Sequence, residues 1–133
     1  MLTETQLIEF RKKKKEIQVI DEHIKALRET IGAKAASLNE PTKASTQGSE
    51  TERTIERIMM LEERYEQLRS EYAKERILIE DEILCLEPNE RALIRLYYLD
   101  GITMEEVAEK LVYSIAQIYN IRTRAILKLG GTV

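Results

Sequence analysis

The sequence predicts an all-α protein in which long N-terminal helices precede a compact helix-turn-helix module. Charged residues make up 34% of the chain and aromatic residues 5%, with only five glycines and two prolines. This composition is typical of long helices rather than sheets. Apolar residues recur every seven positions in the first two thirds of the chain, and two short capped helices meet at a tight turn near its C-terminal end.

The first predicted helix covers residues 3–31. Thr3 and Gln6 have the spacing of a capping box, and Gly32 is a natural residue to end the helix. Between them apolar residues repeat at the a and d positions of a heptad, which predicts one buried stripe. These residues are Phe10, Ile17, Ile20, Ile24, Leu27 and Ile31.

Residues 33–49 are rich in small and polar residues and predict a flexible linker between residues 1–32 and residues 50–87. Ser49 and Glu52 can form a second capping box, which opens a long helix that Pro88 ends. The apolar stripe of this helix consists of Ile58, Leu61, Tyr65, Leu68, Tyr72, Ile79 and Leu86.

Two arrangements can bury these stripes. A helix of residues 50–86 is roughly 55 Å long, more than a small C-terminal module can cover. Either the first helix folds back on it as an antiparallel hairpin, or two chains form a coiled coil. Glu75 and Glu82 fall at d positions and weaken the stripe near its end. Because a two-helix hairpin buries little core, we expect a homo-oligomer.

Residues 88–133 form the predicted helix-turn-helix module, with helices at about 89–99, 103–111 and 114–129. Thr103 caps the middle helix, with Glu106 three residues later, and Ser114 caps the last. The small Ala108 allows two crossing helices to approach closely. The last helix turns Ile118, Ile121, Ala125 and Leu129 inward. In helix-turn-helix proteins such a helix docks in the DNA major groove.

Charge is distributed unevenly along the chain. The net charge is −3, but residues 1–87 contribute 15 basic and 19 acidic side chains, whereas residues 88–133 contribute six and five. The last helix carries Arg122, Arg124 and Lys128 and no acidic residue. Positive charge is thus focused where a groove-docking helix needs it.

The segment ERALIRLYYLDGITMEEVAEKLVYSIAQIYNIRTRAILKL resembles region 4 of the sigma-70 family, in its ER, LYY, DG, T-x-EE and RAILKL elements. The whole chain resembles phage late-transcription regulators of the ArpU and RinA type, which place a charged helical half before a sigma-like module. The resemblance covers residues 50–130 well and the first fifty loosely. One departure is Val112, which occupies a turn position usually taken by glycine.

The outward residues of the last helix are the candidate DNA contacts. Ile115, Ala116, Tyr119, Asn120 and Thr123 face the groove, and the sigma-like resemblance places base contacts at Ile115, Ala116 and Asn120. Asparagine can read adenine, whereas isoleucine and alanine offer apolar contact to thymine methyl groups. Side chains placed for phosphate, which position the protein without specifying sequence, are Ser114, Arg122, Arg124 and Lys128.

Other features favour structural roles. The basic run of residues 11–15 is expected to form a solvated helix face. Cys85 has no partner for an internal disulfide, its apolar neighbours suggest that it packs, and His23 is too far from it for a metal site. No catalytic motif, cofactor site or membrane-spanning stretch is present in the sequence. We therefore expect a non-enzymatic protein in the cytoplasm of a bacterial host cell.

The sequence is compatible with three functions. The first is a phage-encoded activator of late genes that binds double-stranded DNA and contacts host RNA polymerase. The second is a sigma-like subunit of the polymerase itself. The third is a helical adaptor whose helix-turn-helix serves protein contacts only.

Overall fold

The computed structural model of the chain describes residues 2–36 and 44–130. Its helices are α1 (Glu4–Ala36), α2 (Ala44–Glu82), α3 (Pro88–Ile94), α4 (Met104–Leu111) and α5 (Ile115–Lys128). A short 3-10 turn, Ile83–Cys85, follows α2, and a π-helical turn, Arg95–Leu99, continues α3. Throughout the described ranges the regular structure is helical, which confirms the predicted all-α class. Across the same ranges, no helix is both long and apolar enough to cross a membrane.

The ends of the two long helices differ in part from those expected. Thr3 and Gln6 form the predicted capping box, with bonds of 2.9 and 3.2 Å. Gly32 does not end α1, which runs to Ala36. A glycine inside a helix costs about 1 kcal/mol, and the alanines that follow it favour helix. Similarly, Ser49 lies inside α2 and caps nothing, because that helix begins at Ala44.

The predicted linker of residues 33–49 is correspondingly shorter. Its two flanks, residues 33–36 and 44–49, are helical. Its centre, residues 37–43, lies outside the described residues.

The chain divides into two compact units, and the larger is discontinuous in sequence. Unit 1 consists of residues 1–15 and 70–133, and unit 2 of residues 16–69. The predicted DNA-binding segment, residues 88–133, therefore shares a unit with the start of α1 and the end of α2. Leu2, Leu7 and Phe10 belong to the same buried cluster as the helix-turn-helix residues. The start of α1 therefore contributes to the hydrophobic core of the module, although it lies far from it in sequence.

In unit 1 the start of α1 packs antiparallel to the end of α2. Phe10 stacks on Tyr72 with ring centroids 4.5 Å apart. Lys13 is bound to both Glu71 and Glu75, at 3.5 and 2.6 Å. The acidic d position at Glu75, which weakens the heptad pattern, is thus matched by a lysine from the partner helix. The pairing here lies within one chain.

Unit 2 contains the remainder of the two long helices. Its buried side chains are predicted heptad residues on both helices, and ion pairs join Arg28 to Glu62 and Arg64 to Glu16. The buried residues are Ile17, Ile20, Ile24, Ile58 and Leu68. The stripes therefore occupy the positions that the seven-residue spacing predicts.

The helix-turn-helix module is held in place by α3 and its π-helical turn. Both α4 and α5 pack against α3, whose extension buries Tyr98 and Leu99 completely. Asp100 N–H closes the π turn on the carbonyl of Arg95 at 2.8 Å. Gly101 follows with φ of +77°, a conformation that glycine adopts without steric cost. The expected buttressing helix of residues 89–99 is therefore present, with its last turn widened.

The basic run of residues 11–15 is only in part the solvated face expected from sequence, because Lys12 and Lys15 are exposed whereas Arg11, Lys13 and Lys14 are partly buried. Arg11 donates from Nε to the carbonyl of Tyr97 at 3.0 Å, and its guanidinium lies 4.2 Å from the centre of that ring. Lys14 lies over Tyr72, at 5.3 Å from the ring centre. These cations fasten α1 to the rest of unit 1. Cys85, expected to pack, is exposed, and its Sγ donates to the carbonyl of Glu82.

Val112 provides a test of backbone strain. It ends α4 in the left-handed conformation, with φ of 59° and ψ of 49°, and its side chain is 88% exposed. The left-handed conformation costs a residue with a Cβ roughly 1–2 kcal/mol, and an exposed valine gains little packing energy to offset this cost. We expect Val112→Gly to raise the free energy of unfolding by about 1 kcal/mol, measured by thermal and urea denaturation.

Val112→Ala is the matched control, because it keeps the Cβ and should recover only a small part of that gain. A lower melting temperature for Val112→Gly than for the wild type would contradict the strain argument.

Candidate nucleic-acid interface

The turn between α4 and α5 is fixed by hydrogen bonds at both helix ends. Thr103 Oγ1 accepts from the N–H of Glu106 at 3.2 Å, as its position in the sequence predicts. Ser114 and Gln117 form a reciprocal capping box at the start of α5, with bonds of 2.8 and 3.2 Å. At the end of α4 the N–H of Tyr113 reaches back to the carbonyl of Ala108 at 2.9 Å. Because these bonds satisfy free backbone groups, they fix where α5 points.

One side of α5 is buried and the other faces solvent. Ile118, Ile121 and Ala125 are 0–2% exposed, as predicted, and seal the helix against the core. Ile115 and Tyr119 are 42% and 46% exposed although they are large and apolar. Leu127, near the end of α5, is also apolar and is 57% exposed. The outward residues before it are polar or small, and they are Ser114, Ala116, Gln117, Asn120 and Arg124, with Thr123 half-buried beside them.

Asn120 and Arg124 line one groove on this side. The groove has a volume of about 450 Å³ and is also lined by Asn89 of α3 and Tyr113 of the turn. Arg124 is exposed, and within the described chain it forms no direct ion pair. An amide able to pair with a base edge and a cation able to pair with phosphate are therefore adjacent.

Arg122, a predicted phosphate contact, is held inside the fold. Its Nε donates to Tyr98 Oη at 2.9 Å, and its Nη2 bonds Glu4 of α1 at 2.5 Å. Burial raises the pKa of Tyr98, and the hydrogen bond from Arg122 opposes that rise. The guanidinium thus stabilises the docking of α1 on α5 and lies on the flank of the outward side rather than on it.

Lys128, a second predicted phosphate contact, also has an internal partner. Its Nζ lies 2.8 Å from Oε1 of Glu90, whose side chain is 2% exposed. Glu90 belongs to the capping box that starts α3, where it accepts from the N–H of Glu87 at 2.9 Å. Burial opposes ionisation of Glu90, but the hydrogen bonds from Lys128 and Glu87 outweigh it and lower the pKa of the carboxyl group.

Sequence reasoning did not identify Glu4, Arg11 and Glu90 as the residues that position this surface. Glu90 could have been recognised, because glutamate three residues after Glu87 and just past Pro88 has capping-box spacing. Nothing in the sequence distinguishes Glu4 and Arg11 from their charged neighbours, since their partners are 118 and 86 residues away.

Comparison with known proteins agrees with this geometry. Residues 83–129 match the family model for sigma-70, region 4. No curated protein and no solved structure matches the chain. The matched segment runs from the start of the 3-10 turn through α5, so this part of unit 1 is a sigma-70 region 4-like helix-turn-helix. This is a class of DNA-binding module found in regulators rather than in enzymes.

In the residues that the structure describes, no group of histidine, cysteine or carboxylate side chains could hold a metal ion. The candidate interface consists of helix α5 and the groove lined by Asn120 and Arg124.

Proposed function

We propose that this protein is a sequence-specific regulator of transcription that binds double-stranded DNA through α5. The observation that carries the proposal is the outward side of α5, which lacks acidic residues and projects from a sigma-70 region 4-like helix-turn-helix. The second helix of such a motif lies in the major groove, with its N-terminal residues on base edges.

The residues of α5 divide by the chemistry that they offer. Asn120 reads a base through paired hydrogen bonds, and Ile115 and Ala116 contact thymine methyl groups. Tyr119 and Thr123 border this patch, although the Thr123 hydroxyl donates to the carbonyl of Tyr119 at 3.0 Å. Ser114 and Arg124 contact phosphate. We assign no phosphate contact to Arg122 and Lys128, because each has an acidic partner within the chain.

The biological role that we propose is activation of late genes by a phage-encoded protein that also contacts host RNA polymerase. The support is the resemblance of the whole chain, which joins long charged helices to a sigma-like module. A sigma-like polymerase subunit is the second candidate, supported by the region 4 match. Binding of the purified protein to selected DNA without polymerase supports the activator, and binding only in the presence of polymerase supports the subunit.

The DNA-binding proposal predicts different effects for two α5 variants. Fragments of the source genome retained by the protein would first define its site. Asn120→Ala should then lose roughly 1–3 kcal/mol on that site, relax preference at one base pair and leave random DNA almost unaffected. Arg124→Ala should weaken both DNAs and lower the salt slope by about one, because one phosphate contact is lost. Fluorescence anisotropy across a salt series measures both.

Lys74→Ala, an exposed lysine of α2 outside the helix-turn-helix, is the charge control for Arg124→Ala. Equal loss on selected and random duplexes for Asn120→Ala would show that this residue does not read sequence. No binding to any duplex, with or without polymerase, would favour a helical adaptor.

We further propose that the protein is a homo-oligomer that associates through exposed apolar residues of unit 2. On α2 Met59 and Met60 are 64% and 71% exposed, and Ile55 on the same helix is 44% exposed. A patch of this kind on a soluble surface marks an interaction site. Pairing two DNA-binding modules would raise the affinity of a chain with little net positive charge.

Met59→Glu/Met60→Glu should convert the oligomer into monomers and weaken binding to a two-site duplex, as sedimentation and anisotropy would show. Leu68, 3% exposed, is unsuitable for this test because glutamate there would disrupt unit 2 itself. Wild-type protein that sediments as a monomer at concentrations of tens of micromolar would disprove the association.

A further inference from the structure

The basic run of α1 is divided between two surfaces of unit 1. Lys13 pairs with Glu71 and Glu75 of α2, and Lys14 covers Tyr72. Arg11, Lys12 and Lys15 lie on another face of the helix, because residues three and four apart are neighbours on its surface. Among the described side chains, no ion pair joins Arg11, Lys12 or Lys15 to α2. This second face continues from Glu4, which pairs with Arg122 of α5.

Arg11 fixes this face beside the start of the helix-turn-helix. Its Nη2 lies 3.3 Å from the carbonyl of Ile102 and 3.5 Å from that of Gly101. Ile102 immediately precedes Thr103, the N-cap of α4. In helix-turn-helix complexes the first helix of the pair crosses the DNA backbone. The basic face of α1 is therefore anchored next to the part of the motif that approaches phosphate.

A groove lies where the basic face of α1 meets the π-helical turn and α5. It has a volume of about 250 Å³ and is bordered by residues of three elements, among them three cations, of which Arg122 is paired with Glu4. The bordering residues are Ile8, Arg11, Lys12, Tyr97, Tyr98 and Arg122. Arg122 lies three residues after Tyr119, so the groove opens beside the outward side of α5.

Two lysines on this face are available for a ligand. The Lys12 side chain is 69% exposed and meets only exposed Glu9, at 3.5 Å, a surface pair that contributes little. Lys15 is exposed, and among the described residues no acidic group pairs with it. Arg11, by contrast, donates hydrogen bonds to backbone carbonyls. Arg11 thus positions α1, and the ammonium groups of the two lysines stay accessible to a ligand.

We infer that Lys12 and Lys15 bind phosphates of the DNA backbone outside the segment that α5 covers. The inference rests on the proposed function and extends it, since α1 lies outside the helix-turn-helix. The protein then contacts a longer stretch of duplex than the motif alone. Because phosphate carries no base identity, this second contact adds affinity without adding sequence preference.

The test compares the full-length protein with Lys12→Ala/Lys15→Ala and with a charge-matched control, Lys25→Ala/Lys74→Ala. Each lost phosphate contact should reduce the affinity change between about 50 and about 200 mM salt by roughly three- to fourfold. We expect a reduction of about tenfold for the α1 variant and none for the control. Hydroxyl-radical footprinting should show loss of protection beside the α5 site in the α1 variant, whereas Asn120→Ala should retain that flanking protection.

Circular dichroism identifies a variant that fails to fold. In that case Lys12→Gln/Lys15→Gln, which removes the charge but keeps a long polar side chain, is used instead. If wild-type protein binds DNA but the α1 variant keeps the wild-type salt slope and footprint, the inference is wrong and the proposed function stands. If wild-type protein binds no duplex, the proposed function itself is wrong.

Discussion

Leu7→Ala should lower the free energy of unfolding by about 2–5 kcal/mol and abolish DNA binding at ordinary temperatures. Leu7 is 1% exposed and lies in the cluster that contains Ile94, Val107 and Ile118 of the helix-turn-helix module. Its removal leaves a cavity at the place where α1 completes that core. Urea denaturation followed by circular dichroism gives the change in stability, and anisotropy gives the loss of binding.

Ile8→Ala is the matched control, since Ile8 follows directly and is 38% exposed. We expect it to change stability by no more than about 0.5 kcal/mol. Equal effects of the two substitutions, or normal DNA binding by Leu7→Ala, would show that the helix-turn-helix holds its shape without α1.

Lys128→Met should lower the free energy of unfolding by about 1–2 kcal/mol near neutral pH, since Lys128 itself is 46% exposed. Methionine keeps an unbranched apolar side chain, one atom shorter, but leaves the carboxylate of Glu90, 2% exposed, without its cation. Its remaining hydrogen bond comes from the N–H of Glu87. Because breaking a pair in this way leaves a buried charge, the loss exceeds what a surface pair would give.

The pH dependence of stability separates this mechanism from simple loss of packing. Burial opposes ionisation of Glu90, but its hydrogen bonds lower the pKa, so the pair stabilises the fold fully above the ordinary glutamate pKa. That contribution is lost as pH falls through the lowered pKa. The difference between wild type and Lys128→Met should therefore shrink towards pH of about 4. A difference that is constant with pH, or an equal effect of Lys110→Met, would contradict it.

The helices and their buried stripes could be predicted because they depend on local periodicity. Ile17, Ile24 and Ile58 are buried at the positions that the heptads predict, and the caps at Thr103 and Ser114 formed as expected. These features require only neighbouring residues. The helix ends were less predictable, since the cost of Gly32 within α1 is smaller than the total stabilisation of a long packed helix.

The polar pairs of the candidate site could not be predicted, because their partners are distant in sequence. A helical pattern shows that Arg122 and Lys128 lie away from the centre of the apolar stripe. It does not show that Glu4 and Glu90 meet them there. For the same reason the basic run of α1 resembled a solvated face, although Arg11 binds the turn before α4.

The discontinuity of unit 1 has a consequence for synthesis on the ribosome. Leu7 and Phe10 leave the ribosome more than a hundred residues before Ile121 and Ile126, which belong to the same hydrophobic core. At a synthesis rate of about 5–20 residues per second, the apolar residues at the start of α1 are made roughly 5–25 s before those partners. During that interval these residues can pair with α2 but not with α5, so the nascent chain acquires its hairpin before its nucleic-acid-binding surface.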